Sequence, residues 1–376
     1  MALTIPDELL PRTADPRCAH FGECGGCSFQ DVPYDAQLAA KRSVIEEHLG
    51  RTVEIVPSPN PWGYRHRMDY VTAFGKIGLR KRGDGKQVID LNECHIVPQR
   101  VSDLLPDLHT WLDELGIRGW NLVTKRGDLR YITFRHAFSS DQLMVILVTF
   151  RRDSSVQPVA ERLAEHVESV VWSVQERVGD DSHGEVQKVW GRETLDQSIG
   201  DFTFEISPGC FFQNNLLLVD RMYQRAASYV NGYTFDLFCG TGTIGIYASR
   251  QADKVLGVEV VPENIELAKR NLERNAVDNV EYVLDNANHF LAHYDGSTPD
   301  TVILDPPRSG LAPKLIRKLN RLGAKRIVYV SCNPKTFTAD LEQFEGYELM
   351  EAEAYDMFPQ TPHAELVTLL ERQDVS

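Results

Sequence analysis

The sequence predicts an α/β protein. Its C-terminal half is a Rossmann-like, doubly wound sheet, and an α+β domain precedes it. Three observations carry this. After residue 200, strand-like and helix-like segments alternate at the spacing of βα units. A Gly-rich turn, "CGTGTIGIYASR", follows the strand-like "YTFDLF". Before residue 200 the pattern is mixed, with no such alternation. A chain of 376 residues is long enough for two or three domains. The expected division is 1–52, a cysteine-bearing segment and a helix; 53–200, a central α+β domain; and 201–376, the doubly wound domain.

Residues 15–30 hold three cysteines and little periodicity. "YDAQLAAKRSVIEEHLG" has apolar residues at helical spacing and ends at Gly50, a C-terminal stop. "RYITFRHAF" alternates as a strand does, "QLMVILVTFRR" is a continuous apolar run, and "SVQPVAERLAEHVESVV" reads as a helix. In the second half "KVLGVEV", "VEYVLD", "TVILD" and "RIVYVS" read as strands. "PENIELAKRNLERN" is a helix with Pro262 in its first turn. "HAELVTLLER" closes the chain as a further strand. Ligands of such sheets bind at the carboxyl ends of the strands.

No apolar run is long enough to span a membrane, and "MALTIPDELLPRTADP" lacks the features of a signal peptide. The expectation is a cytoplasmic monomer with reduced thiols. The net charge of −14 argues against a nucleic-acid partner until its distribution is considered. "KIGLRKRGDGK", residues 76–86, carries five basic residues against one acid. Residues 301–335 carry eight against Asp305 alone. RNA binding needs local positive surface, not a positive total. Either segment alone reads more simply as a solvated face.

Gly240, Gly242 and Gly245 spell G-x-G-x-x-G, and Glu259 follows 19 residues after Gly240. A dinucleotide site and an S-adenosylmethionine site both use such a turn with an acid for the ribose. "LDPPR" and "SCNP", further on, have no place in a dehydrogenase. "DPPR" also lacks the aromatic that amino-methylating enzymes place after the prolines. Cys332, in "YVSCNPKTF", stands where a strand breaks at Asn333-Pro334. A thiolate added to carbon 6 of uracil makes carbon 5 nucleophilic. A base must then remove the carbon 5 hydrogen. Cys332 in the most basic segment suits the first task, because positive neighbours lower a thiol pKa. Glu365 is a candidate for the second, with His363 a competitor.

These motifs resemble the RNA (uracil-5-)-methyltransferase family, nearest to the iron–sulfur-containing bacterial 23S rRNA enzymes. The likeness runs through "PRCAHFGECGGC", "FFQNN", "DLFCGTGTIG", "GVEVVPENI", "LDPPRSGL", "SCNPKTFTADL" and "DMFPQTPHAEL". It implies Cys332 as nucleophile and Glu365 as base. It implies Gln213, Phe238, Thr243, Glu259, Asp285 and Asp305 around S-adenosylmethionine. The substrate it implies is 23S rRNA, with the T-loop uridine of tRNA the alternative. A catalytically silent RNA-binding scaffold is the alternative of another class. The flipped target base could stack on Phe211, Phe212 or Phe358, each of which equally suits a core.

Cys18, Cys24 and Cys27, with Cys94 in "DLNECHI", could hold zinc or an iron–sulfur cluster. One C-x-x-C rather than two disfavours zinc. The resemblance implies a [4Fe–4S] cluster, which would staple the N-terminal segment to the middle domain near residues 76–86. Cys210 and Cys239 read as structural. Many relatives carry an RNA-binding β-barrel before the cysteines, and about 17 residues precede Cys18 here. On this reading the central domain does the RNA binding.

Overall fold

The computed structural model describes residues 3–73, 75–121, 124, 126–152, 156–177 and 179–373. Two sheets organise them. The larger has eight strands, in the order Glu54–Val56, Tyr347–Phe358, His363–Arg372, Arg326–Ser331, Thr301–Leu304, Gly232–Leu237, Ala252–Glu259 and Val280–Leu284. All pairings are parallel except the two made by His363–Arg372. The strand order reverses beside Gly232–Leu237, the switch point where such sheets open a ligand crevice.

The smaller sheet has seven strands spanning Arg67–Gly191, with Leu129–Ala137 at its centre. The alternation of "RYITFRHAF" predicts one wet face, yet every residue of this strand is buried. Leu129, Ile132 and Phe134 pack under the helix Gln99–Glu114. Tyr131 and Ala137 enter the core shared with the larger sheet. The intervening polar groups are buried with partners. Arg135 donates to the carbonyl of Ser207 at 2.8 Å, and Thr133 donates to Asp69 at 2.6 Å.

Two local readings change. "SVQPVAERLAEHVESVV" is helical only over Gln157–Leu163, and Ser169–Val174 is a strand. Its paired valines favour the pleated sheet they complete. Glu54–Val56, placed by the sequence in the central domain, pairs instead with the larger sheet. The chain thus enters the large sheet, leaves to build the small one, and returns. The helix Tyr34–Leu49 ends as expected, with Gly50 at φ +64° and its amide on the Glu46 carbonyl. Among the described residues no helix is long and apolar enough to cross a membrane.

Candidate active site

The parallel strands of the larger sheet end on one edge, and the residues following them make the site. Phe238 follows Gly232–Leu237 in a left-handed conformation, φ +68°. Gly242, φ +81°, lies where an added Cβ would stand 2.0 Å from the Tyr282 hydroxyl, so this turn tolerates no side chain. Glu259 ends its strand with its carboxylate fixed. It accepts from the Gly240 amide at 3.1 Å and from the Val260 and Val261 amides at 2.9 Å. Exposed Val260 and Leu284 put an apolar margin beside it. That combination suits an adenosine, with the acid on the ribose and the apolar margin under the base.

Asp285 pairs with His289 at 2.9 Å, which holds its carboxyl below the usual range. Thr243 is turned inward, its hydroxyl 3.2 Å from that of Tyr223. Gln213 is buried on the loop before the helix Val219–Ser228. Its amide makes no hydrogen bond among the described residues, and none links it to the other site residues. That loop is gripped from the far side, by the His66 amide on Asn214 and by Asn215 on Ser58.

Asp305, Cys332 and Glu365 are drawn together. The antiparallel register pairs Ser331 with Leu366. One step further along that register, Cys332 stands opposite Glu365. Asn333 then breaks the strand and caps the helix Pro334–Leu341, accepting from the Lys335 amide at 3.2 Å. Asp340 of that helix accepts from the Leu311 amide at 2.8 Å and the Tyr329 hydroxyl at 2.7 Å. The loop bearing Cys332 and the loop after Asp305 are thereby tied together.

The electrostatics correct one expectation. The Cys332 thiol is pushed up to about 11, by burial first and then by Glu365, with Asp305 adding to it. Arg308 opposes this but does not prevail. Other basic residues of the segment 301–335 lie at the opposite end of the strand Arg326–Ser331 and are paired there, Lys325 with Asp300 and Arg326 with Glu371. Burial likewise raises Asp305 to about 7 and lifts Glu365 well above the carboxylate range. His363 is lowered to about 4 by burial and by Arg308, so it is neutral at pH 7.

Two residues missed by sequence reasoning belong here. Asp236 is buried within its strand, and neither oxygen has a well-aligned hydrogen bond. Arg308, exposed and without an ion pair among the described residues, acts on Cys332, Glu365 and His363. Of the stacking candidates, Phe211 is 62% exposed, whereas Phe212 and Phe358 are core residues. Cys210 and Cys239 are buried as expected.

Cys18, Cys24, Cys27 and Cys94 line one small cavity. The four-cysteine cluster site expected of them is not evident as a formed site among the described residues. Among the described residues no three His, Cys, Asp or Glu side chains converge enough to hold a metal ion. A tetrahedral zinc draws its thiolates to within about 4 Å of one another. An iron–sulfur cluster, several times larger than an ion, holds them further apart. Four thiols around one cavity fit that donor set.

Comparison with known proteins agrees with this geometry. The family described as tRNA (Uracil-5-)-methyltransferase matches residues 81–373. The chain is 39% identical to the tRNA (uracil(54)-C(5))-methyltransferase of Pyrococcus horikoshii, covering 96% of this chain and 86% of that one. It is 33% identical to an uncharacterised RNA methyltransferase of Thermotoga maritima, covering 96% and 85%. Among solved structures it is similar to the Pyrococcus abyssi tRNA (uracil-54, C5)-methyltransferase in complex with S-adenosyl-L-homocysteine. The TM-score is 0.83 at 35% identity, covering 92% of this chain and 84% of that one.

Proposed function

The chain belongs to the tRNA (uracil-5-)-methyltransferase family and is an S-adenosylmethionine-dependent RNA (uracil-C5)-methyltransferase; we propose that its target uridine lies in the T-loop of transfer RNA. This replaces 23S rRNA, the substrate first expected. That expectation leaned on the cysteine segment, whereas the Pyrococcus relatives, named for uracil 54 of tRNA, resemble this chain along almost its whole length.

The register that sets Cys332 opposite Glu365 carries the mechanism. S-adenosylmethionine, when bound, supplies an electrophilic methyl group on a sulfonium. Cys332 Sγ adds to carbon 6 of the flipped uracil, and the displaced electron pair makes carbon 5 nucleophilic towards that methyl. Glu365 then takes the carbon 5 proton. The carbon 5–carbon 6 double bond re-forms, and the thiolate leaves. The free protein holds Cys332 as a thiol and Glu365 as a carboxylic acid. On this mechanism both release a proton to solvent as the substrate complex forms, with Arg308 the favourable charge for both anions, and Glu365 acts as base in its ionised form. Glu259 and Phe238 face the adenosine. Asp305 brings a free carboxylate to the crevice and Asp285 borders it; Gln213, buried and without a hydrogen bond of its own among the described residues, is assigned to the cofactor by the family's motif alone. Thr243, its hydroxyl spent on Tyr223, contributes shape.

We also assign Cys18, Cys24, Cys27 and Cys94 to a [4Fe–4S] cluster that acts as a staple. The methyl transfer moves no net electrons and requires no redox centre.

The test is methylation of a tRNA transcript and a 23S rRNA fragment, with 5-methyluridine mapped in each. Product at tRNA uridine 54 is expected; product in the ribosomal fragment alone refutes the tRNA assignment. Glu365→Gln should accumulate a denaturant-resistant protein–RNA adduct, and Cys332→Ala should form none. Normal turnover by Cys332→Ala would sink the mechanism.

A further inference from the structure

A second cavity, of about 410 Å³, opens in the smaller sheet, and none of its walls comes from residues beyond 180. Trp120 and Tyr131 give it aromatic walls. Trp120 is fixed by stacking on Phe150, with ring centroids 4.1 Å apart and planes at 18°. The Arg130 guanidinium lies 5.7 Å from both the Tyr131 and Phe150 rings. It donates to the carbonyls of Gln175, Arg177 and Gly179. Arg80 and the Tyr131 hydroxyl meet on Asp180, at 2.7 and 2.5 Å. Apart from the Arg80 Nε, these polar groups of the wall are satisfied within it, and what it offers a guest is mostly apolar.

The rim is different. Lys86 is exposed and has no hydrogen-bond or ion-pair partner through its side chain among the described residues. Thr72 is shared with a larger adjoining cleft. There Arg118 and Arg126 are exposed and equally unpaired among the described residues. In a chain of net charge −14, Lys86 at this cavity and Arg118 and Arg126 in the cleft beside it are three cations free among the described residues, while Asp180 in the wall is taken up by Arg80 and Asp113 stands in the cleft.

We propose that this cavity holds a second nucleotide of the RNA substrate, distinct from the one methylated. Its base lies on the apolar wall, and its phosphates lie against Lys86, Arg118 and Arg126. Unstacked bases on aromatic platforms beside cationic rims are how proteins grip single-stranded and loop RNA. The occupant is not the target base, which must reach Cys332 at the edge of the other sheet. The assignment rests on the RNA-methylating activity, not on which RNA is methylated.

Gly85 lines the cavity, and an added Cβ there meets no atom within 4 Å. Gly85→Phe therefore adds a ring at the cavity's lining with no clash at its Cβ. It should raise KM for tRNA about tenfold, matching the loss of one stacked base, and leave kcat at saturating RNA and Tm unchanged. Lys86→Glu should raise KM similarly and lower the slope of log affinity against log salt by roughly one. Unchanged KM and salt slope in both variants overturn the proposal. Should the unaltered protein methylate another RNA instead of tRNA, the tRNA assignment falls. The same two variants, assayed on that RNA, then decide this one.

Discussion

Asp236 sits in an apolar strand with both carboxylate oxygens lacking a well-aligned hydrogen bond, and its titration shows what that costs. Burial, then the charge of Asp305, raises it to about 8 from an ordinary value of 3.8. Between those pH values the native chain holds a proton that the unfolded chain has lost. Stability therefore falls as pH rises through that window. Asp236→Asn should raise Tm by a few degrees at pH 8.5 and by less at pH 5.5, as read by calorimetry. An equal gain at both, or a loss, contradicts the assignment. A destabilising acid kept beneath the Gly-rich turn fits a crevice built for a sulfonium, since sites commonly trade stability for activity. Its signal in the sequence is faint, one acid within "YTFDLF". Cys332, Glu365 and Asp305 stand out because prolines and strand ends punctuate them. Arg308 hides in "DPPR", where the prolines draw the eye.

Strands and helices of the second half are legible because their apolar runs and Gly or Pro stops are local signals. The direction of His363–Arg372 is not, because an antiparallel insertion carries the same period as its parallel neighbours. Yet that reversal brings Glu365 to the edge where Cys332 lies. The helix Tyr34–Leu49 is equally decisive and equally silent about its contacts. Lys41, fully buried, pairs with buried Asp356 at 2.5 Å and donates to the Phe358 carbonyl. Gln37 and Gln360 exchange hydrogen bonds at 3.0 Å. These bonds hold the turn 358–363 that leads into Glu365. Lys41→Met leaves Asp356 buried and uncompensated, so denaturation should show a loss of about 3–5 kcal/mol. The double variant with Asp356→Leu should recover most of it. A single-variant loss below about 1 kcal/mol would show the pair to be dispensable.

Across the whole molecule, the N-terminal segment bridges both sheets. Gly25 donates to the Arg80 carbonyl and Arg82 to that of Glu23, joining the cysteine segment to the strand Lys76–Lys81. Immediately after Cys27, the Ser28 and Phe29 amides both reach the Gln360 carbonyl, at 2.7 and 3.1 Å. Gln360 itself holds φ at +66°, a conformation that needs such support. A cluster at the four cysteines would thus fasten a segment gripping both the basic hairpin and the turn before Glu365. Anaerobically purified protein should be brown and carry about four irons per chain. Cys94→Ser should lose the colour and become sensitive to proteolysis within residues 18–33. Binding of S-adenosylhomocysteine, at the far edge of the larger sheet, should be unchanged. Colourless protein, or protein with one zinc, refutes the cluster. Loss of cofactor binding in Cys94→Ser would refute the staple, because a fastening confined to this bridge leaves the crevice at Glu259 intact.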